Sequence, residues 1–256
     1  MFEWFSSLAP VWQALFASLF TWGVTALGAA LVFFFSGANK SIMGAMLGLA
    51  AGVMTAASFW SLLLPAAEMC ASLGYAPQVP LLSGFLSGGA LLFLGDRLFA
   101  RLHPLSKRKR AAMLVFSVTL HNIPEGLCIG VAFGALAYAL PGAGLGAACM
   151  LALGIGLQNF PEGAAVSLPL RREGASRTRA FFWGQISGAV EPLAAVLGAL
   201  LVLYVRALLP FCLSFAAGAM IYVVAAELLP DAENSDVTAI FAITGFSLMM
   251  FMDTMF

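Results

Sequence analysis

Charged side chains are scarce in this sequence. Asp, Glu, Lys and Arg make up only 9% of its residues, whereas 62% are hydrophobic. A water-soluble domain carries about 25% charged residues. This shortage excludes an ordinary soluble domain. It predicts an all-α protein that crosses a lipid bilayer several times.

Cysteine pairs and the sequence motifs of common hydrolases are missing as well. The four cysteines are far apart and form no Cys-x-x-Cys pair, which gives no sign of a disulfide framework or a thiolate zinc site. The sequence has neither a His-Glu-x-x-His nor a Gly-x-Ser-x-Gly motif. We therefore expect no enzyme activity and no organic cofactor. Residues 1–12 contain Glu3 and no basic residue, so no cleavable signal peptide is expected.

Eight stretches are apolar enough to form membrane-spanning helices, each of which needs about 20 apolar residues. We number them as spans 1 to 8; they cover residues 13–35, 41–64, 80–98, 112–137, 145–169, 180–204, 207–229 and 237–256.

The basic residues predict the orientation of these spans. Eleven of the twelve Lys and Arg residues follow spans 1, 3 and 5, and Arg206 alone lies in a loop on the other side. The positive-inside rule makes the basic side cytoplasmic, so both termini are predicted to be extracytoplasmic. The basic run at 107–110 adjoins a span and is interpreted as a topology signal, so no nucleic-acid partner is expected.

Two related hexapeptides lie in the central pair of spans: His-Asn-Ile-Pro-Glu-Gly at 121–126 and Gln-Asn-Phe-Pro-Glu-Gly at 158–163. We call them the first and the second motif. The turn between spans 4 and 5 is near Gly142, which is 17 residues from Glu125 and 16 from Gln158. An antiparallel hairpin would therefore hold both motifs at the same depth, near the middle of the membrane.

A weaker repeat links the outer spans. Leu-Leu-Pro-Ala-Ala-Glu at 63–68 ends span 2, and Leu-Leu-Pro-Asp-Ala-Glu at 228–233 ends span 7. These two spans run in opposite directions. The sequence therefore predicts three spans on each side of the central hairpin in inverted orientation, a common plan among transporters.

The side chains of the motifs suit a metal ion. His121 and Glu125 are four residues apart and share one face of a helix, and the second motif repeats the pattern with amides and Glu162. Pro124 and Pro161 cannot donate a backbone hydrogen bond, so we expect both helices to bend around a cavity. Imidazole, carboxylate and amide ligands suit Zn²⁺, Fe²⁺, Mn²⁺ or Cd²⁺.

A third carboxylate, Glu191, lies in span 6 beside Pro192. The complete set of ligands exceeds what one tetrahedral ion needs, but two neighbouring ions bridged by carboxylates would use all of them. A structural cluster of helix–helix hydrogen bonds is the alternative. It is disfavoured because uncompensated carboxylates are costly in a membrane. Glu227, near the cytoplasmic end of span 7, either snorkels to the membrane surface or assists metal exit. On sequence alone, Met54 in span 2 is interpreted as a packing residue.

These motifs resemble those of the ZIP (Zrt/Irt-like) family of divalent-metal transporters, especially its GufA-like bacterial branch. The resemblance extends to Ser-Gly-Ala-Val-Glu-Pro at 187–192 and to Ala-Ala-Ser-Phe-Trp-Ser-Leu-Leu-Leu-Pro at 56–65. It covers nearly the whole chain as one transporter domain, residues 1–256. It implies an eight-helix, 3+2+3 inverted-repeat fold and metal uptake toward the cytoplasm by an elevator-like motion. It also implies homodimers in a bacterial inner (plasma) membrane.

The resemblance further implies the ligands of a central, often binuclear, site. They are His121, Asn122, Glu125, Gln158, Asn159, Glu162 and Glu191, with Met54 joining from span 2. Many relatives carry His at the position of Gln158 and some carry Asp at that of Asn159, so we expect the second metal position to be weak or auxiliary. The loop between spans 3 and 4 is short, with His103 alone, and predicts no metal-sensing role.

Two other functions stay open at this point. A channel-like conductor would use the same ligands, and the sequence does not separate it from a carrier. An intramembrane metalloenzyme is disfavoured because its usual motifs are missing.

Overall fold

The computed structural model describes residues 2–35, 39–74, 76–102, 107–138, 144–204, 206–230, 232 and 235–255. This described part is helical and has no β-strand. Its α-helices are α1 (Phe2–Ser6), α2 (Pro10–Ala29), α3 (Lys40–Ala57), α4 (Leu64–Leu73), α5 (Gln78–Leu102), α6 (Lys107–Ala135), α7 (Leu145–Arg172), α8 (Arg177–Ile186), α9 (Val190–Tyr204), α10 (Leu209–Val223) and α11 (Ser235–Asp253).

Seven helical stretches among the described residues are long and apolar enough to cross a membrane. They are Pro10–Phe33, Lys40–Leu73, Gln78–Leu98, Val118–Tyr138, Arg177–Val202, Leu209–Leu228 and Ser235–Asp253. These seven coincide with predicted spans 1 to 4 and 6 to 8. The chain is therefore an all-helical integral membrane protein.

Predicted span 5 corresponds to α7, which is not among the seven. This helix has 28 residues, so at about 1.5 Å per residue it exceeds the bilayer core of about 30 Å. Helix α7 is therefore long enough to cross the membrane, and its length does not explain why it is not among the seven stretches. The adjacent Gln158 and Asn159, followed by Glu162, lower its apolar character at mid-helix.

The surface and the interior have the polarity expected of a membrane protein. Large apolar side chains face outward on α5 and α11, where Leu82 is 62% exposed and Ile243 is 69% exposed. The glutamates and amides of both motifs, by contrast, are buried. An apolar surface of this extent would associate in water, whereas lipid chains cover it without cost.

Two π-helices, Ser58–Leu63 and Val224–Leu228, lie next to the repeated Leu-Leu-Pro sequences. Pro65 and Pro230 have no N–H, so the carbonyl four residues earlier loses its α-helical donor. The residue just before each proline instead bonds the carbonyl five residues earlier. The same local sequence thus produces the same backbone irregularity in spans 2 and 7, and such π-bulges are frequent at functional sites.

The long helices pack as two groups. We name α2, α6, α7, α8 and α9 the motif bundle, because it carries both hexapeptides. We name α3, α4, α5, α10 and α11 the support bundle. The closest pairs are α2 with α7 and α6 with α9 in the motif bundle, and α3 with α11 and α5 with α10 in the support bundle. The two bundles meet mainly where α3 packs on α7 and where α10 packs on α6.

Glycine allows the close approach within each of these pairs. A Cβ atom added at Gly28 of α2 would lie 1.9 Å from the carbonyl oxygen of Phe160 in α7. Each of the four pairs has such a glycine on both of its helices, where an added Cβ would lie 1.9–2.6 Å from a backbone oxygen of the other helix. The glycines are Gly28 and Gly163, Gly130 and Gly198, Gly52 and Gly245, and Gly88 and Gly218. Small residues are the usual means by which membrane helices bring their backbones together.

Candidate metal centre

The two hexapeptide motifs meet inside the motif bundle. The Gln158 side-chain nitrogen in α7 donates a 2.7 Å hydrogen bond to Glu125 Oε1 in α6, and both side chains are 0% exposed. Pro124 and Pro161 lie inside helices that continue past them. The predicted meeting of the motifs is confirmed.

Span 6 is broken next to the motifs. Helix α8 ends at Ile186, residues 187–189 form a turn, and α9 begins at Val190. Glu191 therefore lies in the first turn of α9, where the helix dipole favours a carboxylate. The predicted span at 180–204 therefore consists of two helices, α8 and α9, that this turn joins. Pro192 is the sequence signal for the break, because proline is tolerated in the first turn, where no N–H partner is needed.

This turn orients Asn122 of the first motif. Its side-chain nitrogen donates a 2.9 Å hydrogen bond to the carbonyl oxygen of Ser187. The side-chain nitrogen of Asn122 thus points toward the turn, and its side-chain oxygen points away from it. Its Oδ1 atom has no partner among the described residues and is the atom available to a cation.

Glu191 is held by two neutral donors. The Thr21 hydroxyl of α2 donates to Oε2 at 2.5 Å, and the Asn159 side-chain nitrogen donates to Oε1 at 2.8 Å. Sequence reasoning missed Thr21. Its sole signal was a hydroxyl in an apolar span, which is common in membrane helices.

The motifs contain an excess of hydrogen-bond acceptors. Eight buried side-chain polar atoms in the described part have no hydrogen-bond partner, and six of these atoms belong to the two motifs. All six are oxygens that accept: Asn122 Oδ1, Glu125 Oε2, Gln158 Oε1, Asn159 Oδ1 and both carboxylate oxygens of Glu162. Buried acceptors without a partner are costly. Carboxylate and amide oxygens that lack donors fit a divalent cation.

The acidic side chains do not all converge on one point. Within the described ranges, no group of three or more His, Cys, Asp or Glu side chains is placed to hold a metal ion. One reason is that Glu191 is bound to Thr21 and Asn159. The other is that amides supply many of the oxygens. His121 lies in α6, but its side chain is outside the described residues.

The remaining predicted residues lie around this centre. Met54 is fully buried in α3, the support-bundle helix that packs on α7. Glu227 is half-buried in the π-helix Val224–Leu228. Three acidic residues follow Glu227 in the sequence: Asp231 and Glu233 lie outside the described residues, and Asp236 lies in the first turn of α11.

A cavity of about 300 Å³ opens between the two bundles at the end where α7 begins and α11 ends. Its lining includes Glu68 of α4, Trp60 and Ser61 of the first π-helix, and Asp253 of α11. Ser61 donates a 2.6 Å hydrogen bond to Asp253 Oδ1. Two carboxylates in a concave, partly apolar site make this cavity attractive to cations.

These features define a polytopic membrane protein with a buried centre suited to a divalent cation, and comparison with known proteins agrees. Residues 100–253 match the sequence model of the ZIP zinc transporter family. Zinc transporter ZIP11 of Xenopus tropicalis is 38% identical, across 96% of this chain and 97% of its own. Zinc transporter GufA of Myxococcus xanthus is 37% identical across 86% and 88%, and zinc transporter ZIPB of Bordetella bronchiseptica is 34% identical across 90% and 77%.

The chain belongs to the ZIP zinc transporter family. The resemblance noted in its motifs is therefore confirmed, including the similarity to GufA. Members of this family are transporters and not enzymes, which agrees with the prediction of no enzyme activity.

Proposed function

We propose that this protein transports Zn²⁺, and with lower preference Fe²⁺, Mn²⁺ or Cd²⁺, across a bacterial inner membrane toward the cytoplasm. The observation that carries the proposal is the cluster of buried acceptor oxygens where α6 meets α7. A cation supplies the positive charge that this cluster lacks. The zinc transport named for the relatives supports the choice of cargo.

The main metal position lies between the two motifs. We assign it to Glu125 and Glu162, with the amide oxygens of Asn122 and Gln158 and the imidazole of His121. Among the described residues, Oε2 of Glu125 and both carboxylate oxygens of Glu162 have no hydrogen-bond partner, which supports this assignment.

A second, weaker position would use the remaining ligands. These are Asn159 and Glu191, while Met54 approaches from the support bundle. Asn159 is a neutral amide where some relatives carry an acid, so the second position has less negative charge. We therefore expect it to bind Zn²⁺ more weakly than the main position.

The polar groups beyond the centre suggest a route. The cation would enter through the cavity that contains Glu68 and Asp253, reach the motifs and leave past Glu227. The position of Glu227 at the end of span 7, which the positive-inside rule places on the cytoplasmic side, supports the last step. Negative groups at both ends raise the local cation concentration.

The two bundles suggest how the cation crosses. We infer that α7 is the fifth of eight spans, since it is long enough and lies inside the motif bundle. The arrangement is then three, two and three spans in inverted repeats, within one domain of residues 1–256 and with both termini extracytoplasmic. The motif bundle moves as a unit against the support bundle in an elevator-like motion, and the transporter is a homodimer.

Zinc flux into proteoliposomes tests the proposal. The purified protein is reconstituted with a zinc-sensitive dye inside the vesicles, and external Zn²⁺ is added. We expect uptake above that of empty vesicles, saturating with concentration as a carrier does. No flux above empty vesicles from folded protein would contradict transport. Flux that stays linear at high Zn²⁺ would favour the channel-like alternative.

The access cavity gives a second prediction. We expect Asp253→Asn to raise the zinc concentration for half-maximal flux about threefold or more, because a carboxylate that concentrates cations is lost. The maximal flux should be unchanged, since the centre is intact. Ser61→Ala is the control, because it removes the hydrogen bond to Asp253 and keeps the charge. Equal effects of both variants would show that geometry matters there and charge does not.

A further inference from the structure

Thr21 brings a hydroxyl from α2 to the metal centre. The hydroxyl donates to Glu191 Oε2, and Asn159 donates to Oε1, while all three side chains are 0% exposed. The 2.5 Å separation of Thr21 Oγ1 and Glu191 Oε2 is typical of a hydroxyl bound to a charged carboxylate. Glu191 is thus held against α2, unlike Glu162, whose carboxylate oxygens have no hydrogen-bond partner in the described part of the chain.

Both principal donors have a second acceptor on α2. Thr21 Oγ1 lies 3.0 Å from the carbonyl oxygen of Ser18, and the Asn159 nitrogen lies 3.4 Å from the carbonyl oxygen of Thr21. A hydroxyl has one hydrogen and donates to one strong acceptor at a time. If Glu191 moves away, each donor therefore keeps a partner. The main cost of breaking a buried hydrogen bond, an unpaired polar group, is avoided.

We propose that Thr21 is a positioning residue that holds Glu191 beside α2 and releases it to the transported cation. This inference rests on the proposed function, because the cation that takes Glu191 is the cargo. Thr21 competes with the cation for the same carboxylate. It thereby sets how tightly the centre binds zinc and how readily zinc leaves.

The competition predicts the sign of the effect in Thr21→Val, which keeps the shape of the side chain and removes the hydroxyl. Without the hydroxyl, the zinc-free state, in which Glu191 lies against α2, loses a hydrogen bond. The zinc-bound state, in which Glu191 contacts the cation, loses none, so zinc binding becomes more favourable. We expect the Kd for Zn²⁺ at the second position, which uses Glu191, to fall about tenfold when it is measured by titration calorimetry on the purified protein. Maximal flux should fall as well, because zinc leaves more slowly.

Two further variants serve as matched controls. Thr21→Ser keeps the hydroxyl and should bind Zn²⁺ like the unmodified protein. Ser18→Ala removes another fully buried hydroxyl of α2, and it should leave the Kd unchanged. In the described part of the chain, this hydroxyl bonds the carbonyls of Ala14 and Leu15 and nothing at the metal centre. If Thr21→Val gives no folded protein, Thr21→Ala replaces it in the same comparison.

A double-mutant cycle with Glu191→Gln separates positioning from general structural effects. If Thr21 acts through Glu191, Thr21→Val should tighten zinc binding in the unmodified protein and have no effect in the Glu191→Gln background. Unchanged or weaker binding in the single variant, or an equal effect in both backgrounds, would overturn the inference. Failure of the unmodified protein to bind or transport zinc would instead overturn the proposed function.

Discussion

Glu125→Gln is expected to lose zinc binding at the main position while the folded protein becomes as stable as before or more stable. The glutamine side chain has nearly the same shape, and its oxygen can still accept the hydrogen bond from Gln158. Its nitrogen replaces the Oε2 atom, which has no partner among the described residues, and adds donors to a cluster of acceptors. We expect the Kd for Zn²⁺ to rise at least about 100-fold, since removing the charged partner of a buried ion costs about 3–5 kcal/mol.

Weaker zinc binding together with unchanged or higher stability distinguishes a metal ligand from a residue that only stabilises the fold. Titration calorimetry measures zinc binding, and thermal unfolding in detergent measures stability. Glu173→Gln is the control, since Glu173 is an exposed carboxylate at the end of α7. If the motifs were a structural hydrogen-bond cluster, Glu125→Gln would lower stability and leave zinc binding as it was. Glu125→Ala should also lose binding, but with a cavity that lowers stability.

Much of the centre could be predicted because it depends on distances along helices. Glu125 and Gln158 lie at similar distances from one turn, so an antiparallel hairpin brings them to the same depth whatever surrounds it. The hydrogen bond between them shows the result. Seven spans were likewise predictable from apolar length, since the bilayer sets a nearly fixed requirement.

The rest depends on packing between helices that are distant in sequence. Thr21 and Glu191 are 170 residues apart, and no periodicity within either span relates them. The break in span 6 could be predicted from Pro192. The hydrogen bond from Asn122 to the Ser187 carbonyl could not, because it forms only when α6 packs against this break. Helix α7 was predicted as span 5, but its Gln158, Asn159 and Glu162 make it less apolar than the seven stretches that the structure supports as membrane spans.

Gly28→Ala is expected to disable transport and destabilise the protein, although it adds a single methyl group outside the motifs. The new Cβ would lie 1.9 Å from the backbone oxygen of Phe160, between Asn159 and Pro161 in the second motif, so α2 and α7 must separate. We expect a melting temperature lower by about 5 °C, since overpacking costs about 1–3 kcal/mol and each kcal/mol is about 2–4 °C at this size. Zinc flux should be lost, because Asn159 moves with its helix.

Gly23→Ala on the same helix is the matched control: its Cβ would meet nothing within 4 Å, and alanine favours a helix. Equal stability and flux in both variants would show that the approach of α2 to α7 does not position the centre.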